Sequence, residues 1–191
     1  FHISLSCFYI LPQDDVIKKI KRRKKMDLNS PMYHKIELPT LPWPEELPFR
    51  GKGHLYEVPV DAPRSNRKAV EKIGYFFRRE FEFDGPPYHH DELDKNSVVF
   101  LWIEPTTIET IKRSGEVDLA HKAMVYGACG FDKEFEFLPG TSALGWVWLH
   151  PYKRRRGELR KVWPYFKERF GDFYIDSPNG AMKAFLKKQK S

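Results

Sequence analysis

The spacing of hydrophobic residues predicts a strand and then a helix where the regular part of the chain begins. Residues 54–60 are rich in β-prone side chains, and Pro63 ends that segment. Ser65 is a candidate N-cap for the helix that follows. We expect this helix to end before the Gly-Pro-Pro sequence at residues 85–87. Its apolar positions recur at helical spacing, at Val70, Ile73, Phe77 and Phe81.

Later apolar patterns predict four more strands and two more helices. Residues 98–103 form a continuous apolar run, which is typical of a strand buried on both faces. Residues 122–131 and 143–149 are the next strand candidates, and residues 173–175 form a short one. An amphipathic helix precedes the short strand, and a last helix spans residues 178–188. The order predicts an α/β fold with one mixed central β-sheet flanked by helices.

The first 50 residues differ in composition from the rest. Residues 18–25 contain seven basic side chains, and five prolines lie within residues 31–48. Proline lacks a backbone donor and restricts the residue before it, so regular structure is disfavoured there. We therefore divide the chain into a basic, Pro-rich and partly extended N-terminal arm, residues 1–50, and a folded domain, residues 51–191.

The net charge of +7 belongs to the basic block at residues 18–25. Without that block, the remaining 26 basic residues balance 26 acidic residues. A block of like charge is typical of a solvated segment. It is also typical of an arm that binds nucleic acid or another acidic partner. Both interpretations stay open from the sequence.

Composition excludes several classes of protein. With 41% hydrophobic and 31% charged residues, the chain resembles a soluble globular protein. No apolar run approaches the ~20 residues of a membrane-spanning helix, so no membrane partner is expected. The two cysteines, Cys7 and Cys129, form no Cys-x-x-Cys pair, which argues against a zinc ribbon or a disulfide framework. We expect a cytoplasmic protein.

Three further candidates for chemistry are interpreted as structural. The run at residues 89–92, His-His-Asp-Glu, carries metal-binding side chains, but adjacent residues point apart, so a solvated loop is predicted and no metal site. Cys129 is interpreted as a small buried hydrophobe. His150 could act as an acid or base, yet its position before Pro151 at a strand end favours a structural role.

Residues 146–157 join a buried strand to a basic turn and then to a helix. The first turn of a helix exposes unpaired backbone N–H groups at the positive end of the helix dipole. Those groups and nearby Arg side chains bind phosphate oxygens, and Gly157 lets the backbone approach a ligand closely. The segment therefore suits a pyrophosphate, of CoA or of a nucleotide.

This segment resembles the acetyl-CoA motif of the GNAT N-acetyltransferases, which reads Arg or Gln, two residues, Gly, one residue, then Gly or Ala. Arg154, Gly157 and Leu159 fall on those positions, and His150-Pro151 matches the usual lead-in. Residues 177–188 resemble the closing segment of the family, in which an Asn precedes a helix.

The likeness extends over roughly residues 54–188, with three departures from the family pattern. Leu159 replaces a small residue, and Glu158 adds an anion beside the expected phosphate. Phe185 stands where many members have a Tyr general acid. The chain stops at Ser191, where the family usually adds two strands, so the resemblance implies a shortened sheet or a strand supplied by a partner, as in a homodimer.

The resemblance implies an acetyltransferase that uses acetyl-CoA as co-substrate and acetylates an amine on a protein or small molecule. The backbone of Trp148 and Leu149 would hold the pantetheine arm, and Asn179 would contact the cofactor. Ser177 is the candidate acid for the leaving thiolate, and Glu104 is the candidate base for the amine. The pyrophosphate would be bound by Arg154, Arg155, Arg156 and Gly157. The alternatives are a GNAT-fold protein that binds without catalysis, and a nucleic-acid-binding protein that uses residues 18–25 and the Arg cluster.

Overall fold

A mixed β-sheet with helices packed against it forms the described part of the chain. The structure is a computed structural model, and it describes residues 36–44, 49–51, 53–83, 87–91, 95–111 and 115–189. The basic block at residues 18–25, and with it the alternative of an arm that binds nucleic acid, lies outside the described residues. None of the described helices combines the length and apolar character needed to cross a membrane.

The strands follow one another across the sheet almost in chain order. The elements are β1 (Thr40–Pro42), β2 (Phe49–Gly51), β3 (Gly53–Val58), α1 (Arg64–Phe81), β4 (Ser97–Ile111), β5 (Val117–Asp132), β6 (Ala143–Leu149), α2 (Glu158–Phe170), β7 (Tyr174–Ile175) and α3 (Gly180–Gln189). The sheet order is β2-β3-β4-β5-β6-β7, and β1 pairs with β5. All neighbours are antiparallel except β6 and β7, which run parallel. The predicted mixed α/β sheet is therefore confirmed.

The apolar patterns located the buried parts of the strands, and the structure extends two of them. β6 has the predicted bounds, and residues 98–103 are all buried within β4. β4 continues to Ile111, and β5 begins five residues before the predicted start at residue 122. These extensions form the far end of a hairpin whose side chains are partly or fully exposed, so no run of apolar residues marks them.

The start of α1 and the start of the domain differ from the predictions. The N-cap of α1 is Pro63, not Ser65, whose hydroxyl donates to the Asn66 side chain at 3.2 Å. The compact unit runs from Glu37 to Ser191, whereas the sequence places its start near residue 51. Short strands β1 and β2 account for the difference, and Leu41 of β1 is fully buried.

Aromatic side chains fill the core between the sheet and α2. Phe166 is fully buried and packs against Phe100 and Phe131, with ring centroids 5.3 and 5.0 Å apart. Phe131 also stacks on Phe170, at 4.2 Å. α1 contributes other buried residues, Val70, Ile73 and Phe77 among them. Packing on α1 and α2 thus holds the sheet in place beneath the candidate site.

Gly130 of β5 leaves room for an aromatic ring on β6. A Cβ at Gly130 would lie 2.2 Å from Nε1 of Trp146, whereas a Cβ at Gly145 would meet Asp132 Oδ2 at an ordinary 3.5 Å. We expect Gly130→Ala to lower the free energy of unfolding by ~1–3 kcal/mol because the buried indole has to move. Urea unfolding of the two variants measures this. An equal or larger loss in the matched variant Gly145→Ala would contradict it.

Candidate functional site

β6 and β7 pair only where β6 begins. Ala143 lies opposite Tyr174 and Leu144 opposite Ile175. Beyond Leu144, no strand in the described part of the chain pairs with this edge of β6. β6 then leads through the short 3-10 helix Pro151–Lys153 into the turn before α2. An open strand edge is therefore followed, after this short connection, by a helix N-terminus.

The register of β6 decides which backbone groups face that edge. The N–H of His150 donates to the carbonyl of Tyr126 on β5, at 2.8 Å. Because backbone groups alternate along an antiparallel strand, those of Trp148 also point toward β5 and those of Leu149 toward the open edge. The Leu149 carbonyl already accepts from Arg154 Nε at 2.7 Å. The backbones of Trp148 and Leu149 were predicted to contact the pantetheine arm. Of these backbone groups, only the Leu149 N–H faces the open edge and is not engaged by Arg154.

Arg154 forms a bidentate ion pair with Glu80 of α1. Its Nη1 and Nη2 donate to the two Glu80 carboxylate oxygens, each at 2.6 Å. The Trp148 indole donates to the same carboxylate at 2.8 Å. The Glu80 side chain is only 7% exposed. The guanidinium predicted to bind pyrophosphate is therefore committed to a buried carboxylate and joins α1 to the end of β6.

The turn between the 3-10 helix and α2 has a left-handed backbone at two positions. Arg155 has a φ of 59° and Gly157 a φ of 81°. Gly157 is the N-cap of α2, and a Cβ there would meet no atom within 4 Å. The backbone angle, rather than close packing, therefore favours glycine here. Arg155 and Arg156 are exposed, beside the free N–H groups of the first turn of α2.

Glu158 places a carboxylate at the start of α2. It accepts from the Tyr126 hydroxyl at 3.2 Å and from Lys161 Nζ at 2.7 Å. A carboxylate in this position interacts favourably with the helix dipole, as a bound anion would. Burial and then the negative charge of Glu158 raise the pKa of Tyr126, so its hydroxyl stays a neutral donor. An incoming phosphate therefore meets an anion already in place.

Glu104, the predicted base, belongs to the same network of polar side chains as Tyr126 and Glu158. It follows a bulge between Trp102 and Ile103, and it forms an ion pair with Lys153 Nζ. Lys153 also sits over the Tyr126 ring, 4.9 Å from its centroid. We call these residues the polar cluster: Glu80, Glu104, Tyr126, Lys153, Arg154 and Glu158. The sequence offered no signal for Glu80, because its partner is distant along the chain.

The other predicted site residues make hydrogen bonds within their own segment. The hydroxyl of Ser177 donates to Asp176 at 3.0 Å, just after β7. Asn179 caps α3, since its side-chain oxygen accepts from the N–H of Met182 at 2.9 Å. Neither makes a hydrogen bond with the polar cluster in the described part of the chain. The structure thus brings Glu104 to the turn that was predicted to bind pyrophosphate but does not join Ser177 or Asn179 to it.

The surroundings of Cys129 and His90, outside the polar cluster, bear on two predictions made from the sequence. Burial raises the pKa of the fully buried Cys129 thiol, as the prediction of a small hydrophobe implies. His90 Nδ1 lies 2.9 Å from the Glu71 carboxylate, which ties its loop to α1. No group of three or more His, Cys, Asp or Glu side chains that could hold a metal ion occurs among the described residues. A pocket of about 220 Å³ lies at the root of the β4–β5 hairpin and is lined by Trp43, Pro105, Thr106, Thr107, His121 and Lys122.

We expect Arg154→Ala to lower the free energy of unfolding by ~3–5 kcal/mol, because it leaves the Glu80 carboxylate buried and unpaired. Urea unfolding measures the loss, and the exposed neighbour variant Arg155→Ala should stay within about 0.5 kcal/mol of the parent. The double variant Glu80→Ala/Arg154→Ala should lose less than the sum of the two single variants. Strict additivity would show that the pair is not coupled.

His150 gives the stability of the protein a dependence on pH. Burial, followed by the charges of Arg154 and Lys153, lowers the pKa of its imidazole below 6.5. The unfolded chain therefore binds the proton more readily, so this residue destabilises the fold as pH falls through about 6.5 and not above it. We expect the stability difference between the parent and His150→Asn to shrink from pH 8 to pH 5, as measured by urea unfolding. Replacement of the exposed His121 with Asn is the control, and a difference that grows on acidification would contradict the expectation.

Comparison with known sequences provides no family assignment. No family model matches the chain, and no curated protein matches it. The function of the chain is therefore inferred from its own residues and contacts.

Proposed function

We propose that the chain is an acetyl-CoA-dependent N-acetyltransferase of the GNAT type, which transfers an acetyl group directly to an amine. The observation that carries this proposal is the pairing of β6 with β7. These strands are parallel, and they pair only at the start of β6. This pairing leaves the edge of β6 open ahead of the 3-10 helix and the turn that lead to the N-terminus of α2. A strand edge followed by a helix N-terminus suits an amide-containing arm that ends in a pyrophosphate.

The pyrophosphate would lie at the first turn of α2. The backbone N–H groups after Gly157 and the exposed side chains of Arg155 and Arg156 are the proposed contacts. Arg154 has a different role from the one its motif position implies. By holding Glu80 and the Leu149 carbonyl, it positions the turn and does not bind the phosphate.

The reaction needs a proton acceptor for the amine and a proton donor for the thiolate. Glu104 is the proposed acceptor, since it lies in the polar cluster and its carboxylate is held by Lys153. After deprotonation the amine nitrogen attacks the thioester carbonyl, the C–S bond breaks and the thiolate takes up a proton. Ser177 is the proposed donor; it follows Asp176, whose N–H donates to the Leu144 carbonyl at 3.1 Å, where the open edge of β6 begins.

Glu158 opposes phosphate binding in the arrangement described. Its carboxylate lies at the helix N-terminus, and its side chain is 10% exposed. Lys161 and Tyr126 both donate to it and so compensate part of its charge. Removal of that charge should therefore favour a bound pyrophosphate.

Isothermal titration of acetyl-CoA into the full chain tests the proposal. We expect Arg155→Ala/Arg156→Ala to weaken binding by ~10–100-fold, because two charge-assisted contacts are lost. Glu158→Gln should strengthen binding, since the competing anion is neutralised. The charge-matched control, Lys68→Ala/Lys95→Ala, alters two exposed lysines away from the turn and should bind as the parent does.

Absence of acetyl-CoA binding by folded protein would overturn the proposal. Binding that falls equally in the control variant would show a general charge effect instead of a site. Salt-sensitive binding of nucleic acid that disappears on deletion of residues 18–25 would then support the alternative function.

A further inference from the structure

A short segment between α1 and β4, residues 87–91, lies against α1. The Pro87 ring packs on Gly74, where an added Cβ would lie 3.1 Å from the ring. Nearer the start of α1, Nη1 of Arg67 donates to the His90 carbonyl at 2.5 Å. A packing contact and a backbone hydrogen bond therefore hold the segment to the helix, and the His90 side chain lies between these two contacts and Glu71 of α1.

His90 places its imidazole ring between two carboxylates. Its Nδ1 lies 2.9 Å from Glu71 Oε2, and its Nε2 lies 3.2 Å from Asp91 Oδ2. The same Nε2 lies 3.1 Å from Nη2 of Arg64, at the start of α1. The His90 side chain is only 17% exposed, so the ring has limited access to water as an alternative partner.

Glu71 requires a proton on Nδ1 of His90. An ionised carboxylate only accepts hydrogen bonds, so the ring nitrogen that faces it has to donate. Burial would raise the pKa of Glu71, but the hydrogen bonds and charge of His90 outweigh burial and lower it. The His90 backbone N–H also donates to this carboxylate, at 3.4 Å. Glu71 is therefore ionised at neutral pH, and Nδ1 keeps its proton in both charge states of the ring.

The two groups at Nε2 of His90 have opposite requirements. The Arg64 guanidinium only donates hydrogen bonds, so it bonds to Nε2 only when that nitrogen carries no proton. The Asp91 carboxylate only accepts, so it bonds to Nε2 only when that nitrogen is protonated. Because Nδ1 keeps its proton, the first arrangement belongs to the neutral ring and the second to the imidazolium. The proton on Nε2 thus decides which neighbour is bonded.

We propose that His90 is a proton-operated switch in the attachment of residues 87–91 to α1. In the neutral ring Nε2 accepts from Arg64, which links the segment to the first turn of the helix. On protonation Nε2 donates to Asp91 Oδ2, and the bond from Arg64 is lost. Arg64 then stays near the segment through Asp91 Oδ1, 3.4 Å from its Nη2. One proton taken up from solvent thus moves this bond from a side chain of α1 to a side chain of the segment.

The charges around the ring nearly balance, so the hydrogen bonds at Nε2 decide between the two arrangements. The charged or titratable side chains that surround the ring are, on α1, Arg64, Arg67 and Glu71 and, in the segment, Tyr88, His89 and Asp91. Burial raises the pKa of Tyr88, which therefore stays neutral. Two guanidinium groups then face two carboxylates, and net charge excludes neither state of the ring.

Nuclear magnetic resonance of the full chain, labelled with 15N in histidine, tests the switch. Long-range proton–nitrogen correlations report which ring nitrogen carries a proton, and the variant His90→Gln identifies the His90 signals. At pH values above the His90 titration we expect the proton on Nδ1, whereas a solvated neutral histidine favours Nε2. Below the titration we expect protons on both nitrogens. A neutral His90 ring protonated at Nε2 would overturn the switch.

Two substitutions test the partners of Nε2 in opposite directions. Asp91→Asn removes the charge that favours the protonated ring and should move the His90 titration to lower pH by about 1 unit. Arg64→Ala removes the donor that needs the neutral ring and should move the titration to higher pH by about the same amount. The charge-matched controls, Asp118→Asn on β5 and Arg156→Ala in the turn before α2, should move it by less than about 0.2 unit.

Shifts of the same sign for Asp91→Asn and Arg64→Ala would contradict the exchange of partners, and so would shifts no larger than those of the controls. The Arg64 and Asp91 side chains are 62% and 69% exposed, so we expect both variants to fold, as the dispersion of their amide spectra checks. Arg64, His90 and Asp91 lie outside the polar cluster, so the result is independent of the test of acetyl-CoA binding.

Discussion

The ion pair between Glu80 and Arg154 is the interaction on which the candidate site depends. A carboxylate as buried as that of Glu80 is stable only with a partner that satisfies both oxygens. The Arg154 guanidinium does so, and its remaining Nε holds the Leu149 carbonyl at the end of β6. The pair therefore connects α1 on one side of the sheet to the turn that leads into α2.

The Glu80–Arg154 ion pair also organises the polar groups in the turn and at the start of α2. With Arg154 held, the backbone turns through left-handed positions at Arg155 and Gly157 and starts α2 with Glu158. The Tyr126 hydroxyl then donates a hydrogen bond to the Glu158 carboxylate at the first turn of α2. The polar cluster is internally paired, so a ligand at this end of the sheet competes with contacts that already exist. The exposed arginines next to the turn are free of that competition.

The sheet topology separates two surfaces of different character. At β6, the short pairing with β7 leaves an open edge that precedes the N-terminus of α2. At the far end of the β4–β5 hairpin, no described strand pairs with the outer edge of β5 at residues 117–121, where the exposed Leu119 lies opposite Glu109. The first edge suits a long anionic ligand. An antiparallel sheet with a single parallel pair accommodates both because its strands differ greatly in length.

The sequence by itself determined the elements whose signal is local. The apolar run at residues 98–103 and the pattern at residues 143–149 predicted buried strands, because burial imposes a short repeat on neighbouring residues. Only the tertiary structure decided what depends on distant partners. Glu80 and Arg154 are 74 positions apart, and no local pattern records their contact. The same is true of β1, whose three residues become a strand only because β5 offers them an edge.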